Sequence, residues 1–241
     1  MRDNRVELRA DDHLLMSVAQ QLRQPLLQIA RQAELSRLLK TADPQTALAD
    51  ILISAESALT LVDNYVLGLQ VAARGEILQS EPVAVTAILA DAAHELTPTA
   101  KRYGVELQVD TGRAGLINTN RQHLQAAFVS LGYALIEALA SNATDAPQAP
   151  LRLAAHRCRY GVVAGLYCGQ EEISISALRR GRELQARAHQ PHFSLSSAAG
   201  AGIFVADSLL QTLATKLTVS RYQHQYGLAA ILPPVNQLQL V

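Results

Sequence analysis

The first seventy residues carry apolar side chains at helical spacing. Between about Asp12 and Lys40 they recur every three or four residues, at Leu15, Val18, Leu22, Leu26, Ile29 and Ala33. A second run follows, at Leu48, Ile51, Leu52, Ala55, Leu59, Val62, Val66 and Leu69. This spacing predicts two amphipathic helices. The short break at Thr41-Ala-Asp-Pro44 between them predicts an antiparallel hairpin, because Asp43 can cap a helix and Pro44 is tolerated in a first turn.

A hairpin of this length has more apolar surface than it can bury by itself. Pairing with a second copy into a four-helix bundle would bury the remaining stripe. The sequence therefore predicts a homodimer.

From position 81 onward, helical and extended patterns alternate. We predict helices over Glu81 to about Tyr103, Arg121–Ala140 and Gly200–Thr215, and a strand over Gly104–Asp110. We predict hairpins joining Leu151–Cys158 to Val162–Cys168 and Lys216–Tyr222 to Gly227–Leu232. The fold class is therefore α+β: a helical hairpin over 1–74, a hinge over 75–82, and a mixed sheet covered on one side by helices over 83–241.

Composition excludes several classes of function. Lys+Arg and Asp+Glu both number 21, so the net charge is zero and gives no general attraction to nucleic acid or anionic lipid. Aromatic residues, at 4%, are too few to stack on bases. Cys158 and Cys168 lack disulfide-framework or metal-ligand spacing, which favours reduced thiols. No signal peptide or membrane span of roughly 20 apolar residues is evident, so we expect a cytoplasmic protein without a membrane partner.

One short segment on the first predicted helix carries a family resemblance. Ala19-Gln20-Gln21-Leu22-Arg23-Gln24-Pro25-Leu26 resembles the phosphoacceptor box of sensor histidine kinases, a Ser-His-Glu-Leu-Arg-Thr-Pro-Leu type of run. Gln20 stands where that family has its histidine. A neutral imidazole nitrogen can attack the γ-phosphorus of ATP. The amide nitrogen of glutamine cannot, because its lone pair is delocalised into the carbonyl group.

The resemblance spans roughly residues 12 to 235 and implies an α/β sandwich of the histidine-kinase ATPase type. In that family, an asparagine on one helix binds the Mg²⁺ that bridges the ATP phosphates. The matching position here is Tyr133 or Ala134, and Asn142 lies past the helix body, where a capping or turn role is the simpler interpretation. The family's adenine-binding aspartate is matched by Tyr167.

A glycine-rich turn is the third nucleotide-binding element of the family. Gly200 and Gly202 retain part of it. Backbone N–H groups there could bind phosphate, and close packing at a helix start explains the glycines equally well. With nucleophile, metal ligand and adenine contact replaced together, the resemblance implies a pseudokinase. We expect no ATP, Mg²⁺ or other metal to bind.

The resemblance also implies a partner. In the family, the upper half of the helical bundle receives the receiver domain of a response regulator, which here would contact Gln20, Gln21, Arg23 and Gln24. Binding to a related kinase is a further expectation. One alternative is a histidine phosphotransferase using His13, which shares the outward stripe with Gln20, although a plain surface histidine also fits. A second alternative is a non-catalytic nucleotide-sensing switch using Gly200 and Gly202.

Two other clusters admit simpler interpretations. Four arginines, Arg179, Arg180, Arg182 and Arg187, lie in the segment that matches the kinase ATP lid. They favour a solvated helix face, with a docking patch for an acidic partner as the alternative. His189 and His192 are expected to be loop residues, because no cysteine or carboxylate cluster accompanies them.

Overall fold

The computed structural model describes residues 79–110, 112, 114–141, 149–169, 178–179 and 199–235. It also describes positions 26, 29, 33, 48, 51–52, 55–56, 58–60, 62–64 and 66–67. All of these earlier positions are helical, as the two amphipathic runs predict. The break between the runs lies outside the described residues.

The C-terminal part, residues 79–235, contains ten elements whose bounds are described, three helices and seven strands, and Leu178 and Arg179 are helical as well. In chain order they are β1 (Glu81–Ala84), α1 (Val85–Arg102), β2 (Leu107–Asp110), β3 (Leu116–Thr119), α2 (Arg121–Ser141), β4 (Leu151–Cys158), β5 (Gly161–Tyr167), α3 (Ala199–Thr212), β6 (Thr218–Tyr222) and β7 (Gln225–Leu232). The predicted α+β fold class is confirmed.

The main sheet has five strands in the order β2-β4-β5-β7-β6. Strand β2 is parallel to β4, and the other neighbours are antiparallel. Helices α1, α2 and α3 share one core with the apolar side chains of one sheet face, among them Leu153, Leu166 and Leu228. The predicted mixed sheet with helices on one side is therefore present.

Helix α2 forms the centre of this core. It packs against α1, α3 and β5, and Phe128, Leu131, Leu135 and Ile136 are fully buried. A helix with neighbours on several sides becomes apolar nearly all round. Among the described residues, only Arg121–Ala140 is long and apolar enough to cross a membrane, and 83% of that stretch is buried inside the protein. Burial in the core accounts for its hydropathy.

The prediction of a helix from Glu81 is wrong in its first turn. Glu81–Ala84 form strand β1, which pairs antiparallel with β3 in a separate two-stranded sheet, and the helix begins only at Val85. Pro82 lacks an N–H donor, which an edge strand tolerates. Both strands are four residues long. Pairing between these two strands therefore determines their structure more than the local sequence pattern does. Glu81 and Pro82, the last residues of the predicted hinge, belong to this strand.

The remaining elements lie close to their predicted positions. Helix α3 ends at Thr212 rather than Thr215, and the last hairpin begins at Thr218 rather than Lys216. Helix α1 ends at a glycine with positive φ: Gly104 has φ 67° and donates its N–H to the carbonyl of Lys101. Glycine adopts this left-handed conformation without a Cβ penalty.

The second face of the main sheet carries its own small cluster. Ala154, Val163, Tyr167 and Ala229 are buried there, with Tyr222 packed against them. The ring of Tyr222 stacks on His156 with centroids 5.2 Å apart and lies tilted against Tyr167 at 5.4 Å. The rings of His156, Tyr167 and Tyr222 cover this face beside the small residues Ala154 and Ala229. No helix among the described residues covers it.

Candidate functional site

The predicted partner surface lies outside the described residues. This applies to Gln20, Gln21, Arg23 and Gln24, to the alternative phosphoacceptor His13 and to Asn142. Their roles stay predictions. The candidate nucleotide region can be traced in part, because helix α2, the end of β5 and the start of α3 are described.

The position on α2 that matches the metal-binding asparagine is either Tyr133 or Ala134, depending on the register. Tyr133 is 8% exposed and Ala134 is fully buried, both within the main core. A methyl group offers no ligand to Mg²⁺, and a hard cation prefers carbonyl or carboxylate oxygen to a neutral phenol. In either register, the residue at that position of α2 has no amide oxygen.

Glu137 is the only carboxylate on α2. It lies one turn beyond Tyr133, and therefore on the same side of the helix. Burial raises the pKa of its carboxyl group, because the charged form is desolvated there. Glu137 is not among the predicted site residues, although an acidic residue inside a strongly apolar helix is a signal that the sequence shows.

At the end of β5, Tyr167 lies on the sheet face opposite the helices. Strand alternation places Leu166 and Cys168 in the main core and Tyr167 on the second sheet face, against Ala154 and Ala229. Burial raises the pKa of Tyr167 to about 12, and this effect outweighs the lowering by the Ser220 hydroxyl. This side chain is neutral and fully buried, and it does not supply a carboxylate to an adenine.

The glycine pair lies inside the first turn of α3. The helix begins at Ala199, so Gly200 is its second residue and Gly202 its fourth, and Gly202 is buried. The first four N–H groups of a helix have no partner within it, so this end retains the backbone feature that binds phosphate elsewhere. The burial of Gly202 is equally the result expected from close packing.

The predicted lid segment is described at two residues. Leu178 is buried in the main core and its neighbour Arg179 is exposed, which matches a helix with one face in solvent. The remaining arginines of the cluster, together with His189 and His192, lie outside the described residues. No group of three or more His, Cys, Asp or Glu side chains able to hold a metal occurs among the described positions.

Contacts between the N-terminal helical residues and helix α2 were not predicted. The side-chain amide of Asn64 donates a hydrogen bond to the Ser130 hydroxyl, N to O 3.2 Å, and Leu67 packs on the main core. A cleft of about 310 Å³ lies between these parts, lined by Asp63, Asn64, Val66, Leu67, Glu95, Gln122, Gln125, Ala126 and Val129. The hydrogen-bonded pair is 66 residues apart, so no local pattern could indicate it.

Apolar side chains remain exposed along the second predicted helix. Leu48, Leu52 and Leu59 are 64%, 58% and 63% exposed, and Val66 is exposed as well. Leu52, Leu59 and Val66 are seven residues apart, which is the repeat of a helix–helix seam. The described single chain does not cover this seam.

Comparison with known proteins gives matches at the level of structure. No family profile and no curated protein matches the sequence. The histidine kinase ThkA, solved in complex with the response regulator TrrA, matches with a TM-score of 0.53 at 13% identity, covering 96% of this chain and 64% of that one. Full-length ShkA, solved with AMPPNP, matches with a TM-score of 0.52 at 16% identity, covering 92% of this chain and 45% of that one.

A third solved structure extends the comparison. A bacterial phosphotransferase matches with a TM-score of 0.50 at 12% identity, covering 92% of this chain and 96% of that one. The chain therefore has the fold of the sensor histidine kinases, with helices followed by a sheet-rich ATPase-like part. At these identities the likeness defines the fold alone, and function depends on the residues at the site.

Proposed function

We propose that this chain is a two-component signalling protein that binds its partner without phosphoryl transfer from ATP. The observation that carries the proposal is the joint replacement of the reactive groups: Gln20 stands in the phosphoacceptor box, and Tyr133 or Ala134 occupies the metal-ligand position on α2. Loss of either group removes a different requirement of the reaction, so restoring one does not restore the activity.

The proposed partner is the receiver domain of a response regulator, or a related kinase. In support, ThkA, which shares this fold, was solved in complex with a response regulator. The partner surface would comprise Gln20, Gln21, Arg23 and Gln24 on the upper half of the helical bundle. An amide at Gln20 can still donate and accept hydrogen bonds there.

The proposed assembly is a cytoplasmic homodimer. The exposed leucine seam supports it, because two copies joined along Leu52, Leu59 and Val66 would bury side chains that a single chain leaves in water. A dimer would also present two copies of the partner surface.

Receiver binding at Arg23 tests this proposal. Receiver domains of response regulators from the host are titrated one at a time against the purified chain by calorimetry. Arg23→Glu should weaken the complex at least about tenfold, as expected for a contact worth about 1.4 kcal/mol. Arg159→Glu, the same change at an exposed residue of the β4–β5 turn, should leave affinity within about twofold. Equal losses for both variants, or no receiver bound by the wild type, would refute the proposal.

A second candidate function is phosphoryl transfer through His13. It is favoured by the structural match to the bacterial phosphotransferase, which this chain nearly covers. A neutral imidazole at His13 could accept a phosphoryl group from a phosphorylated receiver without ATP. Label that moves from phospho-receiver to the wild type and is abolished by His13→Ala would establish this function in place of the first.

A further inference from the structure

Two hydrogen bonds link α2 and the residue before it to earlier segments of the chain. Asn64, on the second N-terminal helix, donates to the hydroxyl of Ser130 at 3.2 Å. Asn120, immediately before α2, donates its side-chain amide to the carbonyl of Gln79 at 3.1 Å. Gln79 is where the chain enters the C-terminal part. The first contact joins the second N-terminal helix to α2, and the second joins the residue before α2 to Gln79, in the predicted hinge.

The Asn120 side chain has two functions in this arrangement. Its oxygen accepts the backbone N–H of His123 at 3.0 Å and contacts Nδ1 of the His123 ring at 2.8 Å, which makes it the N-cap of α2. Its nitrogen is left to hold Gln79. The amide can satisfy both sides at once because it carries an acceptor and two donors. An aspartate could cap the helix but could not donate to Gln79.

Apolar packing accompanies the Asn64 contact. Leu67, one turn further along the same helix, packs on the main core, and Val129 beside Ser130 is 1% exposed. Leu67 and Val129 both line the cleft between the two parts. Separation of the two parts would therefore expose Val129 to solvent.

We propose that Asn64 and Asn120 form a two-point clasp at α2: Asn64 joins the second N-terminal helix to the C-terminal part, and Asn120 fixes the end of the predicted hinge beside the start of α2. The helix that resembles the metal-binding helix of the kinases here holds the two parts of the chain together. The clasp sets which arrangement of helices and sheet a partner meets. It does not rest on the proposed function, and its test needs neither nucleotide nor partner.

A buried cysteine reports opening of the clasp. Val129→Cys is placed in a Cys158→Ser background, which leaves the fully buried Cys168 as an internal reporter of global unfolding. Both thiols are followed with an aromatic disulfide reagent under native conditions, where the reaction rate tracks the open population. If Val129→Cys lowers the melting temperature, Ala126→Cys, in the same cleft, replaces it as the reporter.

The expected result separates clasp opening from unfolding. Asn64→Ala and Ser130→Ala should each accelerate modification at position 129 about three- to tenfold, the range for loss of one hydrogen bond, and the double variant should add little. Asn120→Asp, which keeps the cap and loses the donor to Gln79, should act in the same direction. Thr97→Val removes a hydrogen bond within α1 and is the control for general destabilisation. In all of the clasp variants the rate at Cys168 should stay constant.

Two outcomes would overturn the clasp. One is an unchanged rate at position 129 in all three variants. The other is acceleration at Cys168 in step with position 129, which would mean that these residues stabilise the C-terminal part as a whole rather than hold the two parts together.

Discussion

The hydroxyl of Tyr222 donates a hydrogen bond to Oδ2 of Asp110 across 2.5 Å, and the two residues belong to opposite edge strands of the main sheet. Gln223 also donates to this carboxylate at 3.2 Å, and Arg152 joins the group by hydrogen bonds to Gln108 and Gln223. Edge strands β2 and β6 can meet this way only if the sheet curls over its second face. Asp110 thereby raises the pKa of Tyr222, because a phenol that donates to a carboxylate resists ionisation.

Removing this hydroxyl should destabilise the C-terminal part. Tyr222→Phe is expected to lower the free energy of unfolding by about 1–2 kcal/mol, since it leaves a carboxylate without its charge-assisted donor at a partly exposed site. Urea unfolding followed by circular dichroism measures the change. The matched control is Tyr160→Phe, at a tyrosine that is 72% exposed. An unchanged midpoint for Tyr222→Phe would show that the two edges are held together without this bond.

His123 should make stability depend on pH. It is 5% exposed, its Nδ1 lies 2.8 Å from the Asn120 oxygen, and its Nε2 has no hydrogen-bond partner in the described part of the chain. Desolvation lowers the pKa of His123 below 6.5. Between pH 6.5 and that lowered pKa the unfolded chain binds more protons than the folded one, so this contribution to stability is complete above pH 6.5 and is lost as the pH falls.

The measurement is the free energy of unfolding between pH 7.5 and 5. His123→Gln should lose less stability over this range than the wild type does. His94→Gln, a change at an exposed histidine of α1, should retain the wild-type slope. If the free energy of unfolding fell equally with pH in the wild type and in His123→Gln, His123 would not be the source of the pH dependence.

The leucine seam should control assembly. Leu59→Glu places a carboxylate in each half of the proposed bundle, and burying an unpaired charge costs several kcal/mol. The dissociation constant of the dimer should therefore rise at least about a hundredfold. Sedimentation equilibrium measures it, with Leu116→Glu, at a leucine 54% exposed on the C-terminal part, as control. An unchanged dissociation constant for Leu59→Glu, or a monomeric wild type, would contradict the proposal that the chain dimerises along this seam.

A histidine at position 20 should permit phosphoryl transfer from a receiver but not autophosphorylation by ATP. Gln20→His is expected to accept a phosphoryl group from a phosphorylated receiver, because that transfer needs an imidazole nucleophile but no ATP site in this chain. The same variant incubated with ATP and Mg²⁺ should stay unlabelled, since the metal ligand on α2 is still missing. Acid-labile phosphate on the chain measures both reactions. Gln21→His, one position along the helix, is the control; if it took up equal label, the assigned register would be wrong.

Sequence reasoning found the elements whose signals are local. Helix α2 was predicted because its apolar run is long, and the β4–β5 hairpin because two extended runs flank Arg159-Tyr160-Gly161. Strands β1 and β3 were missed because their own residues show no strand pattern, and only the pairing of these two distant segments makes them strands.

The long-range side-chain contacts could not be predicted from the sequence, for a different physical reason. Asn64 with Ser130 and Tyr222 with Asp110 are 66 and 112 residues apart, and nothing near either partner indicates the other. Similarly, Tyr167 could be aligned with an aspartate from its neighbours, while its burial on the face away from the helices followed only from strand register. Residue identity was readable from the sequence, and side-chain direction was not.

Incubation with γ-labelled ATP and Mg²⁺, followed by denaturing electrophoresis and acid treatment, tests the central claim most directly. An active histidine kinase of this fold, run in parallel, shows that the assay detects autophosphorylation. The account predicts no label on the wild-type chain and no shift of its melting temperature by ATP with Mg²⁺, since the proposed function assigns Gln20 to the place of the nucleophile and Tyr133 or Ala134 to the place of the metal ligand. Acid-labile phosphate on the wild type would contradict it.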